Sequence, residues 1–161
     1  MKVALCSDFF YPMVGGVQTH IEGLARILEK RGHEVTIITK DAEFNDRVLG
    51  LKVVRVKTLL KTSHTLDLPV PEKLREILEK GKFDVVHAHH AFSPLSLYSL
   101  LFAKELGIKT VLTTHSIQFF YEYEMFWKPI SYFLFPYKIY INNADRIIAI
   151  SKSAKSFISY F

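Results

Sequence analysis

Residues 2–39 read KVALCSDFFYPMVGGVQTHIEGLARILEKRGHEVTIIT, and the periodicity changes twice within that stretch. Lys2–Cys6 is a short apolar run bounded by Ser7 and Asp8, the pattern of a buried strand. Val17–Arg31 places Val17, Ile21, Leu24, Ala25 and Leu28 at helical spacing, and Gly32 closes that helix. Val35–Thr39 is rich in β-branched residues and reads as a second strand. A strand, a helix and a second strand in this order form a right-handed crossover between parallel strands.

The same alternation continues outward. Leu51–Val56 is a third strand, and Pro71–Glu79 a helix with proline in its first turn. Asp84–His87 is a fourth strand, followed by a helix over Pro94–Leu106 that Gly107 closes. Lys109–Thr113 is a fifth strand. Ile117–Asn142 has a helical pattern broken near Pro129 and Pro136. Arg146–Ile150 is a sixth strand and Lys152–Tyr160 a last helix. The expected fold is a three-layer α/β/α domain with a parallel six-stranded sheet in the doubly wound order 3-2-1-4-5-6.

Composition narrows the class. The chain has 161 residues, with 49% hydrophobic and 23% charged, which suits one globular domain and excludes a disordered tail, a collagen-like fibre and a coiled coil. The lone Cys6 excludes an internal disulfide framework and any Cys-only zinc site. The apolar start is too short for a secretory signal, and Ile130–Ile141, which contains Lys138, is too short to cross a bilayer. The expectation is a cytoplasmic protein. The net charge of +5 admits a polyanion or an anionic membrane surface as partner. No helix-turn-helix, RNP or KH signature supports nucleic acid, which is excluded as a partner.

In a doubly wound sheet, ligands bind beyond the carboxyl ends of the strands. The loops expected there are Ser7–Gly16, His87–Ser93 and Thr114–Gln118. Five of the seven histidines (His20, His87, His89, His90 and His115) lie in or beside them. Gly15 and Gly16 open the first helix, where unpaired N–H groups and missing Cβ atoms suit an anion. This is not the dinucleotide fingerprint, because a long loop separates strand from glycines and the third glycine is missing. Asp41, near the end of the second strand, has no glycine turn to accompany it. The histidines admit three readings: zinc ligation, through two imidazoles of a His-x-His strand with His115 as a third; hydrogen bonding to a polar substrate; or a solvated cluster without function. There is no G-x-S-x-G elbow for nucleophilic hydrolysis.

Two further clusters stand out. Eleven of the 22 aromatic residues lie between Phe119 and Tyr140, more than one helical face needs. They imply a surface covered by another domain, a second chain or lipid. Lys52, Arg55, Lys57 and Lys61 fall in a run without acids. They read as a solvated edge strand or as a membrane-surface patch.

Four segments in order resemble the retaining GT-B glycosyltransferases of family four. These are Ser7–Ile21, Asp84–His89 (DVVHAH), Thr113–Ser116 and Ala144–Ser151, so the resemblance spans nearly the whole chain. The Ser-Asp-Phe-Phe-Tyr-Pro and Gly-Gly-Val runs are most similar to the enzymes that make N-acetylglucosaminyl-phosphatidylinositol. Phosphatidylinositol mannosyltransferases resemble the chain more distantly. The family implies two Rossmann-like domains facing across a cleft. The first binds acceptor, and the second binds the nucleotide sugar through an E-x7-E motif. No such glutamate pair occurs here. Residues 1–161 are therefore expected to be the N-terminal, acceptor-side domain, without the C-terminal donor-binding domain.

The resemblance also implies roles. Gly15 and Gly16 would contact the donor diphosphate, and His115 would lie beside the transferred sugar as the catalytic residue, positioning groups and stabilising charge. Asp8, Tyr11, His20, His89 and Gln118 are acceptor-binding candidates. The implied partners are a nucleotide sugar, a carbohydrate or lipid-linked acceptor, and the second domain. A lipid acceptor would place the protein at the cytoplasmic face of a membrane. No metal or other cofactor is expected. The rival readings are a binding module that recruits a separate catalytic chain, and a protein like a sugar-nucleotide epimerase.

Overall fold

The structure is a computed structural model that describes residues 1–41, 47–60, 67–115 and 135–161. The strands are β1 (Lys2–Cys6), β2 (Glu34–Lys40), β3 (Arg47–Val48), β4 (Leu51–Val56), β5 (Thr58–Leu60), β6 (Leu68–Pro69), β7 (Val85–His89), β8 (Lys109–Thr114) and β9 (Arg146–Ala149). The helices are α1 (Gly16–Lys30), α2 (Pro71–Gly81), α3 (Pro94–Glu105), α4 (Phe135–Ile141) and α5 (Lys152–Ile158). The main sheet runs β3-β4-β2-β1-β7-β8-β9. Its six strands from β4 to β9 pair in parallel, in the expected doubly wound order.

Two pieces were not expected. β3 pairs antiparallel with β4 through a turn at Leu49 and Gly50, both at positive φ (52° and 84°). β5 and β6 form a separate two-stranded ribbon. The fourth parallel strand also runs further than the sequence suggests, ending at His89 instead of His87. Neighbours on both sides extend it, and His89 pairs in register with Thr113 of β8. Of the helix expected over Ile117–Asn142, Ile117–Leu134 lies outside the described residues, and α4 is the described portion.

The sheet's two faces are packed differently. Val3, Leu5, Val35, Ile37, Leu51 and Val53 meet Ile21 and Ala25 of α1. On the opposite face Ala4, Cys6, Ile38, Val56 and Val86 meet Leu74 and Leu78 of α2 and Leu95 and Ala103 of α3. Ala88 and Leu112 continue that face against Leu97, Leu100, Ile141 and Ile158. Each fully buried Leu or Ile contributes roughly 1.5–3 kcal/mol relative to its exposed state.

Strand alternation then sets the orientation of the histidines. Leu5 is in register with His87, so His87 and His89 share the α1 face while Val86 and Ala88 point to the core opposite. α1 and α3 stop at glycines in the left-handed region, Gly32 (φ 80°) and Gly107 (φ 71°), as the sequence indicated. Among the described residues, no helix is long and apolar enough to cross a membrane.

Candidate functional site

The loop between β1 and α1 is tied down from three directions. Ser7 donates its N–H to the Ile38 carbonyl at 3.0 Å, and its Oγ accepts the Phe9 N–H at 3.0 Å. Asp8 is buried, and its two carboxylate oxygens accept N–H groups of Leu95 (3.4 Å) and Ser96 (3.3 Å) at the start of α3. Burial pushes the Asp8 carboxyl up from its ordinary range, opposed by Ser93, by those two N–H groups and by the charge of Lys40. The Tyr11 hydroxyl donates to Glu22 Oε2 at 3.2 Å, which also accepts from Gln18 Nε2 at 3.2 Å. The Tyr11 carbonyl accepts from Arg55 at 3.0 Å.

This anchored loop delivers the start of α1 with its N–H groups open. Gly15 is the N-cap, no side chain among the described residues caps the helix, and its first turn contains no acid. A Cβ at Gly15 or Gly16 would meet none of the described residues within 4 Å. By contrast, Asp8 serves the start of α3, and Ser151 accepts the Ala154 N–H at the start of α5.

One turn into α1, exposed His20 faces the strand ends. Its ring centroid lies 5.5 Å from that of His89 and 5.1 Å from that of His115. His89 is fully buried, and its Nδ1 lies 3.4 Å from Nε2 of half-buried His115. His89 Nε2 has no hydrogen-bond partner among the described residues. His87 stacks near His89 at 4.2 Å and shares a 2.7 Å hydrogen bond with Thr113 Oγ1. Burial, then mutual repulsion, holds His87 and His115 down at about 4, and His89 well below its ordinary value. These imidazoles are neutral at physiological pH, able to donate and accept hydrogen bonds without carrying charge.

His90 belongs elsewhere. It sits at φ 88°, an uncommon conformation for a residue other than glycine. Its ring packs edge-on against Phe9 at 5.0 Å. The structure thus brings Gly15, Gly16, His20, His89 and His115 to one edge of the sheet. Asp8 and Tyr11 lie in the same loop with their side chains engaged by the protein. Gln118 lies outside the described residues.

The basic run divides. Lys52 lies 3.9 Å from Glu34, while Arg55 is half-buried and also donates to the Lys40 carbonyl at 3.3 Å. Lys57 is exposed, and Lys61 lies outside the described residues. Gln18 and Glu22, which hold Tyr11, were not anticipated. Neither was the buried Lys40–Asp67 ion pair at 3.3 Å beyond β2. The i, i+4 spacing of Gln18 and Glu22 was a usable signal. The ion pair joins residues far apart in the chain and left none.

The family model for Glycosyltransferase Family 4 matches residues 14–159. The chain belongs to this family.

Curated relatives agree. A human Phosphatidylinositol N-acetylglucosaminyltransferase subunit is 37% identical over 125 residues, covering 72% of this chain and 25% of that protein. The GPI3 subunit of the same-named transferase from Saccharomyces cerevisiae (strain ATCC 204508 / S288c) is 32% identical over 165 aligned positions, covering 96% of this chain and 34% of that one. An Alpha-monoglucosyldiacylglycerol synthase from Acholeplasma laidlawii is 36% identical, covering 72% of this chain and 30% of its own. The chain thus spans about a quarter to a third of the curated relatives it matches.

Solved structures match the fold. Sucrose-phosphate synthase from Thermosynechococcus elongatus superposes with a TM-score of 0.64 at 16% identity, over 99% of this chain and 45% of that one. UDP-GlcNAc 2-epimerase from Methanocaldococcus jannaschii gives 0.61 at 16% identity, over 99% and 42%. Family membership and this likeness identify the fold as one Rossmann-like half of the GT-B architecture.

Proposed function

We infer that the chain is the acceptor-side half of a retaining glycosyltransferase that moves a hexose from a nucleotide-diphosphate sugar to a lipid-linked acceptor. One observation carries this reading: the start of α1 and the His20–His89–His115 cluster, in which His89 and His115 are held neutral, open onto the same strand ends. The N–H groups of Gly15 and Gly16 receive the diphosphate, aided by the positive end of the helix. His115 hydrogen-bonds the sugar beside the reacting centre, and His20 and His89 hold acceptor hydroxyls. A neutral imidazole suits this work, since it offers a donor and an acceptor in one ring. The leaving diphosphate draws its cationic partners from the second half of the cleft. The lipid character of the acceptor is supported by relatives whose names specify phosphatidylinositol and diacylglycerol.

The test is label transfer from a nucleotide sugar to phosphatidylinositol or diacylglycerol vesicles, using a polypeptide with both halves of the cleft. His115→Ala lowers turnover by about 100-fold or more, as loss of a transition-state hydrogen-bond donor does. Near-normal turnover removes His115 from the reaction. The 161-residue chain alone transfers negligibly, and appreciable transfer by it contradicts the half-site reading. The likeness to a 2-epimerase concerns fold alone; epimer formation without any acceptor is the outcome that favours that chemistry.

A further inference from the structure

The ring nitrogens of His20, His89 and His115 converge so that one ligand atom from each lies within 4.8 Å of the other two. The three residues come from α1, the end of β7 and the end of β8, so the fold and not a local sequence motif assembles them. Among the described residues the group consists of imidazoles alone.

One edge of the group has the dimension of a metal site, and the other two close within 4.8 Å. Zinc binds imidazole nitrogen at about 2.0–2.1 Å, which places ligand nitrogens about 3.3–3.4 Å apart at tetrahedral angles. His89 Nδ1 and His115 Nε2 already stand 3.4 Å apart. His89 is fixed inside the sheet, and His115 follows the last residue of β8 directly. His20 is exposed on α1 and supplies the adjustable third corner. Three protein ligands leave the fourth position open to water or to another ligand. Imidazole donors without carboxylates select zinc, copper or nickel over magnesium and calcium, which demand oxygen.

His-x-His does not supply two of the ligands. His87 stands outside the group and shares its Nε2 with Thr113 Oγ1 at 2.7 Å.

We propose that His20, His89 and His115 form a three-imidazole site for a divalent transition-metal ion of the zinc class. The ion is an occupant and not a requirement for transfer. On the function inferred above, the same three side chains hold sugar and acceptor, so the bound ion blocks the cleft. The metal site itself does not rest on that function.

The test is calorimetric titration of chelator-treated protein with zinc chloride, together with the visible spectrum of the cobalt(II) form. The expected result is one zinc per chain and the absorption of a low-coordinate cobalt site. His20→Ala weakens zinc by more than about 100-fold, since even outer-shell partners change affinity roughly 10–100-fold. His33→Ala, which alters a histidine outside the group, leaves affinity unchanged. His20 is exposed on a helix, so its variant folds even where His89→Ala does not. Absence of saturable binding, or zinc affinity untouched by His20→Ala, overturns the proposal. Zinc bound through His20, with no sugar transfer by a metal-free polypeptide carrying both halves of the cleft, refutes the function and leaves the site standing. Transfer without zinc binding does the reverse.

Discussion

Gly15→Asp separates the fold from the function at the start of α1. The position is extended (φ −175°, ψ 179°), so any residue adopts it without backbone strain. A new Cβ meets none of the described residues within 4 Å. Aspartate is a good N-cap, a few tenths of a kcal/mol better than glycine, and its charge gains about 0.3–1 kcal/mol from the helix dipole. The sum, about 0.5–1 kcal/mol, raises Tm by roughly 1–4 °C for a chain of this size. The same carboxylate lies where the donor phosphate is proposed to sit. Two unit charges about 4 Å apart repel by about 4 kcal/mol at an effective dielectric constant near 20. Solvent at this exposed end reduces that figure, so the expected loss in kcat/KM for the nucleotide sugar is about 100-fold. Gly15→Asn caps the helix without the charge and isolates the electrostatic part. The assay pairs thermal unfolding of each variant with transfer kinetics in a polypeptide carrying both halves. A more stable, less active aspartate variant with a milder asparagine variant supports the reasoning. Aspartate kinetics within about 3-fold of the parent, or equal losses for both variants, refute it.

Further expectations concern buried groups that hold the site. Asp8→Ala leaves the Leu95 and Ser96 N–H groups without their acceptor; at about 1–3 kcal/mol for each buried orphan, the urea midpoint falls by the equivalent of roughly 2–6 kcal/mol. Unchanged stability with lost acceptor binding would instead make Asp8 a ligand-contacting residue. Burial pushes the Cys6 thiol up to about 12 from 9.0, so its contribution is intact below pH 9 and is lost as pH rises toward 12. At pH 10.5 that linkage amounts to about 2 kcal/mol; it is read as the difference in alkaline unfolding between the parent and Cys6→Ala, and identical slopes would contradict it. A Cβ at Gly81 would stand 2.1 Å from the Phe83 ring. Gly81→Ala therefore costs about 1–3 kcal/mol by chemical denaturation, and a neutral result would mean that the ring repacks freely.

The parallel sheet was legible because its signals are local and repeat. Apolar strands, helical spacing and closing glycines recur at each crossover, and right-handedness limits how they assemble. The missed pieces lack such signals. The β3–β4 turn places Leu49 at φ 52°, a conformation that leucine seldom advertises. β5 and β6 are too short to display a period. His87–Ala88–His89–His90 shows the difference between composition and placement. The sequence locates all three histidines at a strand end, yet alternation and one left-handed residue send them to different work. His89 joins His20 and His115, His87 bonds Thr113, and His90 packs on Phe9.

Asp8 and Arg55 carry the same lesson into the site itself. Both have residue types that suggest ligand contact, and both lie beside the edge proposed to face the ligand. In the fold, Asp8 joins the β1–α1 loop to the start of α3, while Arg55 joins the same loop to the end of β2 through the Tyr11 and Lys40 carbonyls. The loop is thereby held from both sides of β1, which lies between β2 and β7. That arrangement fixes where α1 begins, and with it the direction of the Gly15 and Gly16 N–H groups. A helix terminus stabilises an incoming anion best when its dipoles need not reorganise on binding. The polar groups buried beside the open glycines would act on the proposed donor phosphate through position, which is why their identity alone could not separate them from residues proposed to touch it.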